Sequence, residues 1–501
     1  MKIRALLASA SIILITDAAL ASELSITKGS IEGAGRNIMR TASGGLVATY
    51  AESSGGQSSL IFDRSLNNGR SWEKAIVETR PGQIVESSID SNFQGSYIAF
   101  TEEQGGKVVG RIAFSNAPFS KDPKFSVSLP VTPAGVEPWD TSIQASRKGW
   151  GSQDSDDRET IAYGWQDKRS KSLYIGVSKD GRSFPPARIV VADRYATSGP
   201  AVAVRGKFVI ATYLTTNPNI VPTDVPHENG VSYPAWIETF DGGESWSSPQ
   251  PLFGSKAADF PTVEVDDNRD RVRLAGGTAQ MNSPILNWAF SREGDASDDE
   301  AEDKTAPSQE SSSNNSKPPA DNDQGGITFV QTSLRGLGLG GRSSEISVVS
   351  FRQIAPGANW THVIANNKLS RSPGSRGGDI STISAVASQF QYSALIDTPV
   401  RATVYKEYDS VVGETRFVAA ISTDTGKRFD RHASFGKEEL TALGIENVDA
   451  TTVFAASQCL FEDRNGDVFV DVMLLDGNST HYARLPLGVN AQELRISSKR
   501  S

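Results

Sequence analysis

Several acidic and aromatic residues stand where successive stretches of the chain begin: Glu86, then Glu137-Pro-Trp139-Asp140, then Asp259-Phe260, then Asp379. A carboxylate accepts hydrogen bonds, and an aromatic face packs on apolar surface while its polar edge stays wet. If each stretch starts at a common axis, these side chains ring one opening, and the combination suits stacking on and hydrogen bonding to sugars. The same residue types also cap turns and pack one unit on the next. Metal chemistry has less support. His227, His362, His432 and His481 show no ligand spacing. Asp463-Arg-Asn465-Gly-Asp467 imitates the start of a calcium loop, but Val468 stands where the loop glycine belongs, so a hairpin turn is the simpler reading. No cofactor is expected.

What positions such residues is a repeated turn. In Thr239-Phe-Asp-Gly-Gly-Glu-Ser-Trp246, Asp241 can accept hydrogen bonds from the turn's own N–H groups, the glycines permit positive φ, and Trp246 seeks burial. Ser65-Leu-Asn-Asn-Gly-Arg-Ser-Trp72 and Ser422-Thr-Asp-Thr-Gly-Lys-Arg-Phe429 keep most of this pattern. Val177-Ser-Lys-Asp-Gly-Arg-Ser-Phe184 keeps Gly181, Ser183 and Phe184 with Asp180 displaced by one place, and Gln353-Ile-Ala-Pro-Gly-Ala-Asn-Trp360 keeps only Gly and Trp. The intervals suggest a period of about 60 residues, which fixes the architecture as a repeat array.

These octets resemble the Asp-box, or BNR repeat, S-x-D-x-G-x-[ST]-W, of the sialidase superfamily, over most of the chain. The resemblance implies a β-propeller in which each box joins the third and fourth strands of a blade. Short alternating strands between Gly-rich turns agree with it. The expected fold is all-β: a single propeller of four-stranded blades, seven or eight favoured and six possible, over residues 22–292 and 327–490. Residues 293–326, rich in Asp, Glu, Ser, Asn and Pro, are expected to be a disordered acidic insertion where the fifth box should be, with a domain linker as the competing reading. The doubt in the count is whether the strands on either side of it form one blade or two. An early strand, Glu23–Lys28, can complete the last sheet and remove its open edge. Residues 491–501 form a C-terminal tail.

Residues 1–21 read as a secretory signal peptide: Lys2 and Arg4, an apolar run from Ala5 to Ile15, and Ala19-Leu-Ala21 as a cleavage site. A periplasmic or secreted protein follows, without a transmembrane segment once the signal is removed. A formal net charge of −9 gives no footprint for nucleic acid. Cys459 is the only cysteine, so no internal disulfide forms.

For activity, the resemblance implies arginines that fork a substrate carboxylate, a Tyr nucleophile assisted by Glu, and an Asp acid/base. Tyr392-Ser-Ala-Leu395 followed by Val404-Tyr405-Lys-Glu407 matches the nucleophile stretch and makes Tyr392 the candidate. Arg36 and Arg342 stand near the places of two of the arginines. Other pieces are missing. Gln57 stands where the acid/base aspartate belongs, and Arg269, Arg271 and Arg273 fall in or beside a hairpin turn. The leading expectation is therefore a glycan- or protein-binding module with a degenerate catalytic set, using Glu86, Glu137, Trp139, Asp140, Asp259 and Asp379. The alternative is an exo-sialidase or related glycoside hydrolase using Tyr392 with Arg36 and Arg342. A scaffold tethered through the acidic insertion is a third reading.

Overall fold

A computed structural model describes residues 22–25, 37–41, 45–92, 94–146, 160–220, 233–251, 270–277, 287–291, 325–337, 341–353, 360–363, 367–368, 382–388, 400–409, 414–423, 430–442, 445, 452–454, 460–476 and 479–498. Their strands fall into seven sheets taken up in chain order. The first is Ile38–Arg40, Leu46–Ser54, Gln57–Ser65 and Glu73–Arg80. The second is Ile84–Asn92, Gly95–Gln104, Lys107–Ser115 and Ser126–Val127. The third is Pro138–Ala145, Ile161–Asp167, Leu173–Ser178 and Arg188–Val191. The fourth is Ala196–Arg205, Phe208–Thr215, Tyr233–Thr239 and Gln250–Pro251. The sixth is Thr382–Ser388, Arg401–Asp409, Glu414–Ser422 and Arg431–Phe435. All five are antiparallel meanders, and the innermost strand of each packs on the innermost strand of the next sheet. The fold is propeller-like.

Local sequence explains the meander. Gly55-Gly56 and Gly105-Gly106 all have positive φ, which is what a two-residue hairpin demands, and they close Ser54 on Gln57 and Gln104 on Lys107. Inner strands lie between neighbouring sheets and are buried on both faces: every residue of Ile161–Asp167 is buried. Glu73–Arg80, the outermost strand of the first sheet, alternates instead between exposed and half-buried positions.

The fifth sheet departs from the expected order. Asn287–Ser291 lies innermost, followed by Asp270–Gly277, Gly325–Leu337, Gly341–Gln353 and Trp360–Val363, with Asn367–Lys368 also on Gly341–Gln353. Asp270–Gly277 and Gly325–Leu337 run parallel. The acidic segment therefore leads from the innermost strand to the third, not from the third to the fourth where a box would stand. The strands on its two sides share one sheet, and the second of them begins at Gly325, two residues inside the expected insertion. The rest of the insertion, and with it the expectation of disorder, lies outside the described residues.

The seventh sheet closes the array. Thr452–Phe454 and Leu460–Glu462 both pair with Asp467–Asp476, which pairs with Ser479–Asn490. Its last strand is Ser22–Ser25 from the other end of the chain, in register from Ser22 opposite Tyr482 to Ser25 opposite Ser479. Within the C-terminal tail, residues 491–498 form a helix capped by the Asn490 side chain, which accepts from the N–H groups of Gln492 and Glu493.

Where the seventh sheet meets the first, Asp471 is wholly buried between two guanidinium groups. Arg40 of the first sheet donates Nε–H to it at 3.0 Å and Arg484 donates at 2.9 Å, while the Tyr482 hydroxyl also bonds it. Both guanidinium groups lie over the Phe461 ring, at 4.6 and 4.4 Å. Tyr482 continues the seam outward to the first box: its ring fills the space beside Gly69 and meets Trp72 edge-on at 5.5 Å. One apolar cluster runs through the first, second, sixth and seventh sheets around this seam.

The flanking cations hold the Asp471 carboxyl below its ordinary range despite burial. Removing the anion strands two cations in a dry site. Asp471→Ala should lower stability by about 3–5 kcal/mol in chemical denaturation. A loss under about 1 kcal/mol would show that the seam does not rest on this carboxylate.

Candidate functional site

The box turns join third to fourth strands, as the resemblance implies, so they lie at the end of each sheet opposite the start of its innermost strand. Their chemistry is spent internally. The Asp241 carboxylate accepts from Glu244 N–H at 2.9 Å and from Ser245 N–H at 3.1 Å and Oγ–H at 2.5 Å, while Thr239 Oγ1 accepts from Gly243 N–H. These bonds draw the Asp241 carboxyl well below its ordinary value. Asn67 fills the same place in the first sheet, accepting from Ser71 N–H at 2.9 Å. In the third sheet the displaced Asp180 does so too: it accepts from Arg182 N–H at 2.8 Å and Ser183 N–H at 2.7 Å, and Ser178 Oγ accepts from Gly181 N–H. That turn is one residue shorter between Asp and Gly, and its function is kept. Most of the turns at Ser422–Phe429 and Gln353–Trp360 lies outside the described residues.

At the other end the innermost strands converge. Each has one edge with no strand beside it, and alternate N–H groups on that edge need acceptors. The preceding sheet supplies them from side chains. Ser142, Gln144 and Ser146 of the third sheet accept from Val202, Val204 and Gly206 of the fourth, each 60 residues on. Glu86 and Asp90 of the second sheet accept from Thr141 and Ala145 of the third. Asp140 accepts from Gly199 N–H at 3.0 Å. Asn37 and Asn92 donate to the carbonyls of Ser87 and Ser146 in the following sheets.

Two of the sequence candidates are therefore part of this ladder. Glu86 and Asp140 are buried, and Glu86 takes both the N–H and the hydroxyl of Thr141 at 3.0 Å. Burial, and then the nearby charge of Asp140, push the Glu86 carboxyl up to about 8. Glu137 and Trp139 remain half-exposed. Glu137 pairs with Arg169 at 2.9 Å. Tyr392, Arg36, Asp259 and Asp379 lie outside the described residues. Arg342 sits opposite Gly336 in Gly341–Gln353, three strands out from the innermost strand of its sheet.

Trp139 marks the corner between the third and fourth sheets. The backbone around it is unusual. Among the described residues, Asn68, Asp140 and Lys171 are the non-glycine positions with positive φ; Asn68 belongs to a box turn, and Asp140 (φ 53°) and Lys171 (φ 64°) stand on either side of Trp139. The strand register also shifts between Trp139 and Ser142, and comparable bulges open the innermost strands of the second, fourth and sixth sheets. The Lys171 ammonium lies over the Trp139 ring at 5.3 Å. Across the corner stand Tyr195, half-exposed, and Arg194, which donates to the Tyr195 hydroxyl at 2.8 Å. Gln166 ties the two sides: its amide donates to the carbonyl of Lys171 at 3.1 Å and to that of Ala196 at 3.0 Å.

Gln166, Lys171, Arg194 and Tyr195 were not among the residues singled out from the sequence. The available signal was local charge: Lys168, Arg169 and Lys171 share one turn of an acidic chain. The turn at Asp463 is held by that residue's carboxylate, which accepts from Asn465 and Asp467 N–H at 2.9 Å, as a hairpin requires. No group of three or more metal-ligating side chains occurs among the described residues, and no helix among them is long and apolar enough to cross a membrane.

No family model and no curated protein matches this chain. Solved structures of similar course include a PL25 ulvan lyase bound to a -[GlcA(1-4)Rha3S]- saccharide, at 11% identity and TM-score 0.41, covering 95% of this chain and 99% of the lyase. A GH93 α-L-arabinofuranosidase of Fusarium graminearum shares 11% identity at TM-score 0.37, over 80% of this chain and 97% of that one. Trypanosoma rangeli sialidase shares 8% identity at TM-score 0.37, over 96% of this chain and 60% of its own.

The folded chain holds the Glu86 proton to a higher pH than the unfolded chain does, so the contribution of this group to stability is present at low pH and is lost as pH rises toward about 8. Glu86→Gln keeps an acceptor for Thr141 without a charge. The variant's melting temperature minus that of the wild type should therefore grow more positive between pH 5 and pH 9; a difference constant across this range would refute the assignment.

Proposed function

We propose that this protein is an exported, seven-bladed propeller that binds glycan at the mouth formed by the starts of its innermost strands, and that it lacks a complete sialidase set. The observation that carries the reading is Trp139: a half-exposed indole held between two left-handed residues at that mouth, with a second half-exposed aromatic, Tyr195, on the next sheet. Aromatic faces of this kind stack on sugar rings. In the count of blades, the fifth sheet with its acidic crossover is one blade, and Ser22–Ser25 completes the seventh. Export rests on the signal-like residues 1–21.

A second reading, hydrolysis of a terminal sialoside with Tyr392 as nucleophile and Arg36 and Arg342 on the substrate carboxylate, rests on the Tyr392-Ser-Ala-Leu395 stretch. The position of Arg342, three strands out from the innermost strand, favours the binding reading. Of the remaining candidates, Glu86 and Asp140 would support the mouth from beneath, and Asp259 and Asp379 lie outside the described residues.

The two readings separate in one pair of measurements. The secreted form of the wild-type chain should be retained on a glycan array, with retention reduced about tenfold or more in Trp139→Ala, and should leave a fluorogenic sialoside intact. Turnover of the sialoside that disappears in Tyr392→Phe would replace the binding reading with the enzymatic one.

A further inference from the structure

The aspartates of the box turns are committed to their own loops, but the space between two of these turns is open. A groove of about 500 Å³ lies between the third and fourth sheets at their box ends. Its size falls in the range of roughly 300–1,000 Å³ usual for small-molecule sites. Ile175, Val177 and Phe184 of the third sheet give it an apolar floor, and Gly242, Gly243 and Glu244 of the fourth box face them. Phe184 is half-buried, and Phe114 and Tyr163 brace its ring at 5.7 and 6.0 Å.

The equivalent joint between the seventh and first sheets is filled. There the Tyr482 ring, from the third strand of its sheet, occupies the space beside Gly69, and Asn68 accepts from Arg40 at 3.0 Å. Aligning the two boxes places Gly242 at Asn68 and Gly243 at Gly69. Val177, again from a third strand, stands where Tyr482 does, its Cγ2 2.8 Å from the point a Gly243 Cβ would take. Valine lacks the ring that fills the other joint, and Gly242 lacks the side chain of Asn68. The third box is also one residue short between Asp180 and Gly181. These three differences leave a groove where the other joint is packed.

The rim carries both signs of charge. Lys179 is paired with Glu244 across the two turns, and Arg188 adds a second cation that acts on Glu244. Asp180 keeps its charge while accepting from the N–H groups of Arg182 and Ser183. Two cations and two carboxylates cancel. An anion in the groove meets Glu244 and Asp180, and a cation meets Lys179 and Arg188, so the rim favours no charged ligand. A sugar hydroxyl is both donor and acceptor and bonds groups of either sign. The C–H face of a sugar ring suits the apolar floor and the Phe184 ring.

We infer that the groove between the third and fourth box turns is a second glycan site, for a neutral oligosaccharide, at the end of the sheets opposite the mouth. It rests on the glycan reading for its class of ligand and shares no residue with the site at Trp139. Phe184 takes the face of a sugar ring, and Lys179, Arg188 and Glu244 bond its hydroxyls.

The test is retention of the full secreted chain on a glycan array with neutral and acidic members, with folding checked by circular dichroism and melting temperature. Gly242→Asn fills the groove. The equivalent Asn68 holds φ 61° against 75° at Gly242, and a Cβ on Gly242 meets only Lys179 Cε, at 3.6 Å. Glu244→Ala removes an exposed rim carboxylate and keeps the backbone N–H that Asp241 accepts from. Both are made in the wild type and in Trp139→Ala. The retention that remains in Trp139→Ala should be on neutral glycans, and should fall about tenfold or more with Gly242→Asn and about 3–10-fold with Glu244→Ala. If Gly242→Asn lowers the melting temperature, Glu244→Ala decides alone. No retention left in Trp139→Ala, or retention that neither added substitution changes, overturns the groove site and leaves the reading at the mouth standing. Remaining retention confined to acidic glycans overturns the neutral assignment. Full retention in Trp139→Ala that Gly242→Asn abolishes overturns the mouth and keeps the groove. No retention of the wild type on any glycan overturns both.

Discussion

The constraint on which this fold depends is the open inner edge. A strand at the centre of a radial array has a partner on one side only, so half its backbone groups face a narrow axis where no further strand fits. Water at the axis can satisfy some of them, but the strands here are buried on both faces along most of their length. Side chains of the preceding sheet take over. The offset of 60 residues in three consecutive bonds, from Ser142, Gln144 and Ser146 to Val202, Val204 and Gly206, shows that this is a register and not a set of accidents. The inner strands of the second and third sheets are each bonded by side chains both to the sheet before and to the sheet after, which couples these sheets through specific bonds as well as through their apolar faces.

That use of polar side chains has a consequence for function. Carboxylates at the start of an inner strand are drawn into the ladder and out of reach of any ligand, as Glu86 and Asp140 are. Residues displaced by a bulge or a turn stay clear of the ladder. The strand register shifts next to Trp139, and the turn after Asp167 lifts Lys171 over it. Bulges re-aim side chains and break pairing locally, so the same irregularity that ends the ladder also creates a free corner. The cost of the two left-handed residues is borne by the rigid sheets on either side.

How far the sequence carried this can be judged residue by residue. The box turns were legible because their chemistry is local: Asp241 binds N–H groups three and four residues away, and a short pattern records that completely. Even the one-residue deletion at Asp180 left enough of the pattern to be noticed. The closing strand was legible because an open edge needs a partner, and it is described over Ser22–Ser25. The place of the acidic insertion was not, since a parallel pairing between strands 50 or so residues apart depends on tertiary packing that local periodicity does not encode. The corner was only half legible. Trp139 stood out as an aromatic among acids, but Gln166 sits in an ordinary buried strand, and its role follows from bonds to two segments that only the fold brings together.

Closure of the array is the remaining demand, and it is met differently from the joints between other sheets. Along the chain, successive sheets are tied by connections that hold them close whatever their interface. The seventh and first sheets are linked through Ser22–Ser25, which leads on to Ile38–Arg40, but the other strands of the seventh sheet come from the opposite end of the chain and are held to the first sheet only by pairing and packing. Their joint carries the densest combination of interactions described here: a strand contributed from the far end of the chain, the Tyr482 ring against Gly69 and Trp72, and Asp471 between Arg40 and Arg484 with both guanidinium groups on Phe461. A buried charge cluster adds little net stability over apolar packing of the same volume, but it tolerates few alternative registers, because each misalignment leaves an ion unpaired. Apolar contact alone would let the last sheet slide on the first. The cluster instead fixes where the ring closes, and so fixes the spacing of the inner strands on which the mouth depends.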